Sequence, residues 1–139
     1  EPRFFFFFPS DIYRIADMIR DQRDIKVIAV KDYITYPKAS GYKSYHMIVS
    51  IPVYLSDRTV DTKVEVQIRT VAMDFWASLE HKIHYKFEGD APENIKNELV
   101  ECARMVSDLD ARMLSLNEEI LAISKKREEE KQLNSGTSK

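Results

Sequence analysis

Two stretches of the chain concentrate side chains able to do chemistry. From Lys63 to Arg69 the residues alternate, with Lys63, Glu65, Gln67 and Arg69 on one side of a strand and Val64, Val66 and Ile68 on the other. That pattern suits a solvent-washed sheet face. It suits equally a site in which Glu65 binds a hard cation such as Mg2+ while the neighbouring cations offset phosphate charge. The second stretch is the loop holding Lys31, Tyr33, Tyr36, Lys38, Tyr42 and Lys43, followed by His46. Lysines are point-charge phosphate binders, and a tyrosine ring offers a platform for a base. Gly41 lets the backbone and the Tyr42 ring approach a ligand closely. The alternative is a surface loop with amphipathic tyrosines.

Other chemistries find little support. His81 and His84 are three residues apart, but no cysteine or carboxylate set completes a zinc site, so each reads as structural. There is no Gly-rich phosphate loop and no Gly-x-Ser-x-Gly turn. Cys102, the single cysteine, cannot form an internal disulfide; it points to a reducing cytosolic setting and, lying in an apolar seam, reads as a core thiol.

The elements that must position these residues can be read from periodicity. Ser10 is the expected cap of a helix reaching Arg20, with Ile12, Ile15, Ala16 and Ile19 on one stripe. Ile25 to Lys31 reads as a strand, Asp32 to Lys43 as a loop, and Tyr45 to Val53 as a strand in which Pro52 marks an edge or an end. Ser56 to Asp61 reads as a turn. Thr70 is expected to cap a helix whose apolar stripe is Ala72, Phe75, Trp76, Leu79 and Ile83. After Gly89 and Pro92 a second helical region begins near Glu93. Its seam of Ile95, Leu99, Cys102, Val106, Leu109, Met113, Leu116, Ile120 and Ile123 alternates spacings of four and three and calls for a partner helix. From Lys125 the charged tail is expected to fray.

The chain has 139 residues, 44% of them hydrophobic, enough for one core without metals or disulfides. With 21 Lys+Arg against 23 Asp+Glu the formal charge is −2, which argues against a surface that grips nucleic acid as a whole. Phe4 to Phe8 hold five of the seven phenylalanines. That run is too short for a signal peptide core or a bilayer span, and reads either as a buried strand or as altered sequence. The fold class is mixed α/β, with residues 1–90 as core, 91–133 as C-terminal helices for oligomerisation and 134–139 as a disordered tail.

The residues from Lys31 to His46 (KDYITYPKASGYKSYH), then Val64 to Thr70 (VEVQIRT), then Met73 to Ala77 (MDFWA) with Glu80-His81 and Tyr85-Lys86, resemble the synthetase domain of RelA/SpoT-type alarmone synthetases. The blocks come in family order over roughly Asp11 to Lys86. The helices beyond them are similar to those of the small, single-function members. The resemblance implies a nucleotidyltransferase-like mixed sheet flanked by helices. It also implies a cytosolic stringent-response enzyme that uses Mg2+ to transfer the β,γ-pyrophosphate of ATP to the 3′-hydroxyl of GDP or GTP. Within it Tyr42 would stack on guanine; Lys38, His46 and Lys31, with Lys43 a weaker candidate, would hold phosphates. Glu65 would ligate Mg2+ and help activate the hydroxyl, Gln67 would contact the nucleotide, and Asp74 would approach the guanine. A homotetramer through the C-terminal helices is implied, with (p)ppGpp or single-stranded RNA as candidate regulators and no membrane partner.

The chain also departs from the family. The family's Mg2+-binding Asp on the first strand would precede residue 1, and the adenine-side Arg matches only Arg3. The ATP half of the site and the upstream basic motif are therefore expected to lie outside this chain. No adjacent His-Asp pair is present, so no alarmone hydrolysis is expected. Two other readings stand beside synthesis: a nucleotide- or RNA-binding regulator that retains the fold without catalysis, and a module whose main role is oligomerisation.

Overall fold

The structure, a computed structural model, describes residues 2–137. Its elements in chain order are β1 (Arg3–Phe6), α1 (Pro9–Arg20), β2 (Lys26–Asp32), β3 (Tyr45–Tyr54), β4 (Thr59–Thr70), α2 (Val71–Lys86) and α3 (Glu93–Gly136). The four strands form one mixed sheet in the order β1-β4-β3-β2, with β1 parallel to β4 and the other pairs antiparallel. This is the mixed α/β fold expected, and its sheet has two chemically different faces.

One face is the core. Met47 and Val49 of β3 and Val66 and Ile68 of β4 share a side because side chains two apart on a strand point the same way. They pack with Ile12 and Ala16 of α1 and with Met73 of α2. Helix α1 starts differently from the expectation: Phe8 is the N-cap without a side-chain cap bond, and Pro9 occupies the first turn. Proline needs no partner for its missing N–H there and its φ is already helical, so Ser10 is displaced from the cap.

The phenylalanine run does form a strand, but not a buried one. β1 is an edge strand bonded only to β4, so Phe4, Phe5 and Phe7 remain exposed and only Phe6 packs against the core. Pro52 lies on β3 beyond Ser50, the last residue paired with β2, where β3 has become an edge. The β3–β4 turn is tighter than expected, closed by Leu55 N–H donating to Arg58 O at 2.8 Å, so β4 already begins at Thr59.

Thr70 caps α2 as its sequence position suggests: its side chain accepts from Met73 N at 3.1 Å. The helix is rotated from the expected stripe, however. Met73, Trp76 and Ala77 are buried, while Phe75 is 77% exposed and Leu79 is also exposed. The rotation follows from Trp76, whose indole N–H donates to Leu99 O at 2.8 Å and which packs with Ala77, Leu99 and Ala103 as a second small core reaching Tyr42.

Helix α3 touches this core through Leu99, Ala103 and Val106. Cys102 faces solvent instead of a core, one step around the helix from Ala103. From Leu109 onward the seam residues Leu109, Met113, Leu116, Ile120 and Ile123 are all exposed. The helix continues through Gly136, past the point from Lys125 where fraying was expected; of the expected 134–139 tail, Ser138 and Lys139 lie outside the described residues.

Candidate active site

The second face of the sheet carries the polar residues, and strand register aligns them. Arg3 of β1 is opposite Gln67 of β4, Gln67 is opposite His46 of β3, and His46 is opposite Lys31 of β2. Opposed residues share a face, so Arg3, Gln67, His46 and Lys31 form a row across all four strands. At about 4.8 Å per strand the row spans roughly 14 Å, a length suited to a nucleotide and its phosphates. Glu65 stands beside the row, two residues before Gln67 on the same side of β4.

This face is not solvent-washed at its centre. Gln67 and Arg69 are buried, because the loop before β3 and the start of α2 close over that end of β4. Arg69 is tied on every side. Its Nη2 donates to Tyr42 Oη at 2.6 Å and to Gln67 Oε1 at 2.8 Å; its Nη1 donates to Asp74 Oδ1 at 3.0 Å; its Nε donates to Ser44 Oγ at 3.3 Å. A planar guanidinium supplies this many fixed donors where a lysine could not.

The chain of contacts continues from Tyr42 to the carboxylate. Tyr42 Oη is 3.1 Å from His46 Nε2, and His46 Nδ1 is 3.5 Å from Glu65 Oε1. The neutral tautomer protonated on Nδ1 satisfies both: Tyr42 O–H donates to Nε2, and Nδ1–H faces Glu65. Burial lowers the His46 pKa, with Arg69, Lys38 and Lys31 adding to the shift and Glu65 opposing it. The imidazole is thereby kept neutral between a tyrosine and a carboxylate.

The loop that carries Tyr42 is anchored at both ends. At its start Asp32 accepts from Ile34 N, Thr35 N and Thr35 Oγ1 at 2.8 to 3.0 Å, and from Tyr13 Oη of α1 at 3.0 Å. Burial alone would raise the Asp32 pKa, but the hydrogen bonds from Thr35, Tyr13 and Ile34 bring it below the ordinary value. At its end Lys38 N–H donates to Tyr42 O at 3.1 Å, so the turn sets Lys38 beside Tyr42. The Lys38 ammonium lies 5.1 Å from the Tyr42 ring centroid and 5.0 Å from that of Tyr33. Gly41 makes this turn possible: its φ is +96°, and a Cβ there would fall 2.5 Å from Ala103 Cβ.

A cleft of about 520 Å3 opens over this face, lined by Arg3, Lys38, Tyr42, Gln67 and Arg69 on one side and Ala77, Ser78, Glu80, His81 and His84 of α2 on the other. Of the residues singled out in the sequence, Arg3, Lys38, Tyr42 and Gln67 line it directly. His46 and Lys31 continue the row beyond Gln67 and Glu65 stands beside it, but these three do not line the cleft itself. Asp74 is held by Arg69 and does not line the cleft. Lys43 is turned away: its ammonium donates to Ser107 Oγ of α3 at 2.5 Å. Arg69, read in the sequence as a cation that offsets phosphate charge, is engaged instead by Tyr42, Gln67, Asp74 and Ser44, and Glu80 lines the cleft although it received no role in the sequence. The place of Glu80 depends on how α2 is rotated, which helical periodicity alone does not fix.

Against known families, residues 3–90 match the one described as a region found in RelA / SpoT proteins. The chain belongs to the RelA/SpoT family. Every cleft residue falls within the matched region. The chain is 47% identical over 113 residues to GTP pyrophosphokinase YwaC of Bacillus subtilis, covering 81% of this chain and 54% of that protein. It superposes on the crystal structure of small alarmone synthetase 2 from Bacillus subtilis with a TM-score of 0.82 at 46% identity, covering 84% of this chain and 64% of the other. Small alarmone synthetase 1 from the same organism, solved bound to its product pppGpp, gives a TM-score of 0.80 at 37% identity, covering 85% and 61%. The chain spans about half the length of the curated relatives it matches.

The RelA/SpoT family implies a magnesium ion, and the residues present fit one in a limited way. Among the described residues no group of three or more His, Cys, Asp or Glu could hold a metal by itself. Mg2+ commonly keeps several waters and takes one or two carboxylates plus substrate phosphates. Glu65, with 38% of its side chain exposed beside the row that carries Arg3 and Lys31, suits that share of the work.

Proposed function

We propose that this chain contributes the guanine-nucleotide site and the catalytic carboxylate of a GTP pyrophosphokinase, which transfers pyrophosphate from ATP to the 3′-hydroxyl of GDP or GTP to make (p)ppGpp in the cytosolic stringent response. The observation that carries this reading is the cross-strand row Arg3, Gln67, His46 and Lys31, with Glu65 beside it and Tyr42 tied into it. In balanced form, the 3′-oxygen attacks the β-phosphorus of ATP, the bond from that phosphorus to the α,β-bridging oxygen breaks, and AMP departs with the electron pair. Pyrophosphoryl transfer depends mainly on positioning and on neutralising spread charge, so no thiol or serine nucleophile is required.

The residues divide this work. Tyr42 stacks on the guanine, its ring held by Arg69 and His46. Lys38 and Lys31 hold phosphates of the guanine nucleotide, whereas His46, whose two ring nitrogens are engaged by Tyr42 and Glu65, is turned from that task to positioning, and Arg3 lies at the far end of the row, on the ATP side. Gln67 steadies the nucleotide from the floor. Glu65 takes the proton from the 3′-hydroxyl, and His46, neutral and beside it, orients that carboxylate. Bound Mg2+, with Glu65 as its one ligand from this set, would neutralise the phosphate oxygens.

Beyond the site, the exposed seam of α3 supports self-association, and the reading assigns it to further copies of this chain in a homotetramer, with (p)ppGpp or single-stranded RNA as regulators. The test incubates a full-length protein carrying both halves of the site with Mg2+, ATP and labelled GDP: AMP and labelled (p)ppGpp should appear in equal amounts. Glu65→Gln should abolish that turnover while GDP binding survives; turnover at the wild-type rate would remove Glu65 from catalysis. Tight GDP binding without any product by a full-length protein that carries the ATP half as well would favour the non-catalytic regulator instead.

A further inference from the structure

Glu80 has no part in the chemistry above, yet it stands in the same cleft. It is the only carboxylate among the cleft-lining residues, the rest of whose charge is cationic or titratable imidazole. It is half-buried and, among the described residues, makes no ion pair or hydrogen bond. Burial raises its pKa, with Lys38, His84, Arg69 and His81 acting against the shift. A partly desolvated acid without a donor is a cost to the fold unless a ligand supplies the donor.

We infer that Glu80 is the specificity-determining residue for guanine, accepting the N1–H and the 2-amino N–H of the base stacked on Tyr42. Three features carry this. The position is rigid, since Glu80 lies within α2 one turn after Trp76 and Ala77, and Trp76 is fixed by its bond to Leu99 O. Ala77, at i−3 on the same helix face, also lines the cleft and offers a bulk-free wall against which a flat base can lie beside the Tyr42 ring. Finally, Glu80 is an acid in a cleft where Arg3 and Lys38 suit phosphates, so it is matched to the part of the ligand that carries N–H donors and no negative charge. Guanine presents two adjacent N–H donors that a carboxylate matches with both oxygens. Adenine places an unprotonated ring nitrogen there, which a carboxylate repels, and hypoxanthine keeps N1–H but lacks the 2-amino group.

The inference rests on the guanine-nucleotide reading, and binding measurements without catalysis separate the two. The whole chain would be titrated with GDP, IDP and ADP. The wild-type protein should bind GDP roughly tenfold or more tightly than IDP, the size expected for one hydrogen bond to a charged group, and ADP more weakly still. Glu80→Gln, which keeps the shape but loses the charge and one acceptor, should bind GDP at least tenfold more weakly and bring the GDP/IDP ratio close to one. Glu80→Asp should fall between the two, and unchanged thermal melting of both variants would show that the fold is intact. A Glu80→Gln protein that keeps the wild-type GDP/IDP ratio overturns the role of Glu80 and leaves the guanine site standing. A wild-type protein that binds no guanine nucleotide overturns the underlying reading and this inference with it.

Discussion

Tyr42, His46 and Glu65 act as one polar unit, and each can be tested through a different observable. Tyr42→Ala removes the stacking platform and should weaken GDP binding by about 1–3 kcal/mol, read by calorimetry. Tyr42→Phe keeps the ring and should lose less, because only the links to Arg69 and His46 disappear. His46 makes a pH prediction. Its folded pKa lies below the ordinary value near 6.5. The folded state therefore prefers the neutral ring, so the stability His46 contributes is present above about pH 6.5 and is lost as pH falls through its folded pKa. His46→Gln should flatten that part of the denaturant-midpoint profile between pH 7 and 5; a variant with the same slope as the wild type would place the acid sensitivity elsewhere.

At the scale of elements, the site depends on the junctions between β4, α2 and α3. Thr70 serves two of them: its hydroxyl oxygen accepts from Met73 N and its proton goes to Asp110 Oδ2 of α3 at 2.7 Å. Asp110 is buried, and burial raises its pKa while Thr70 and Lys43 pull it down. Thr70→Ala thus removes a helix cap and leaves a buried carboxyl without its donor. It should cost about 2 kcal/mol or more in chemical denaturation. Lys43 bonds to Ser107 of the same helix, so α3 is fastened both to the β4–α2 junction and to the loop carrying Tyr42. The loop in turn is pinned to α1 through Asp32 and Tyr13. Three helices therefore bear on the position of the Tyr42 ring.

At the scale of the whole molecule, α3 is longer than the core it packs on. Its first half contributes Leu99, Ala103 and Asp110 to the interior, whereas its later seam residues are all exposed. A single helix with an apolar seam gains little by itself in water, and burying such residues against a second helix contributes about 1.5–3 kcal/mol for each one fully covered. If the seam joins copies of this chain, Leu116→Lys combined with Ile120→Lys should shift light scattering to a smaller species at micromolar concentration. Unchanged mass would show that the copies meet elsewhere or not at all.

The sequence by itself determined most of the elements and much of the site, because those signals are local. Alternation in Lys63–Arg69 exposed a strand with two faces, Thr70 revealed a cap through a bond three residues away, and the blocks around Tyr42 and Glu65 carried the family. What only the tertiary structure decided depends on partners distant in the chain. Register placed Arg3, Gln67, His46 and Lys31 in one row, although they span sixty-odd residues. The bond from Trp76 to Leu99 turned α2, which left Phe75 in solvent and brought Ala77 and Glu80 to the cleft. The same packing buried Arg69 and drew Lys43 toward Ser107. Periodicity reports that an element has an apolar side, but the angle at which that side settles is set by the shapes it meets, and those come from the rest of the chain.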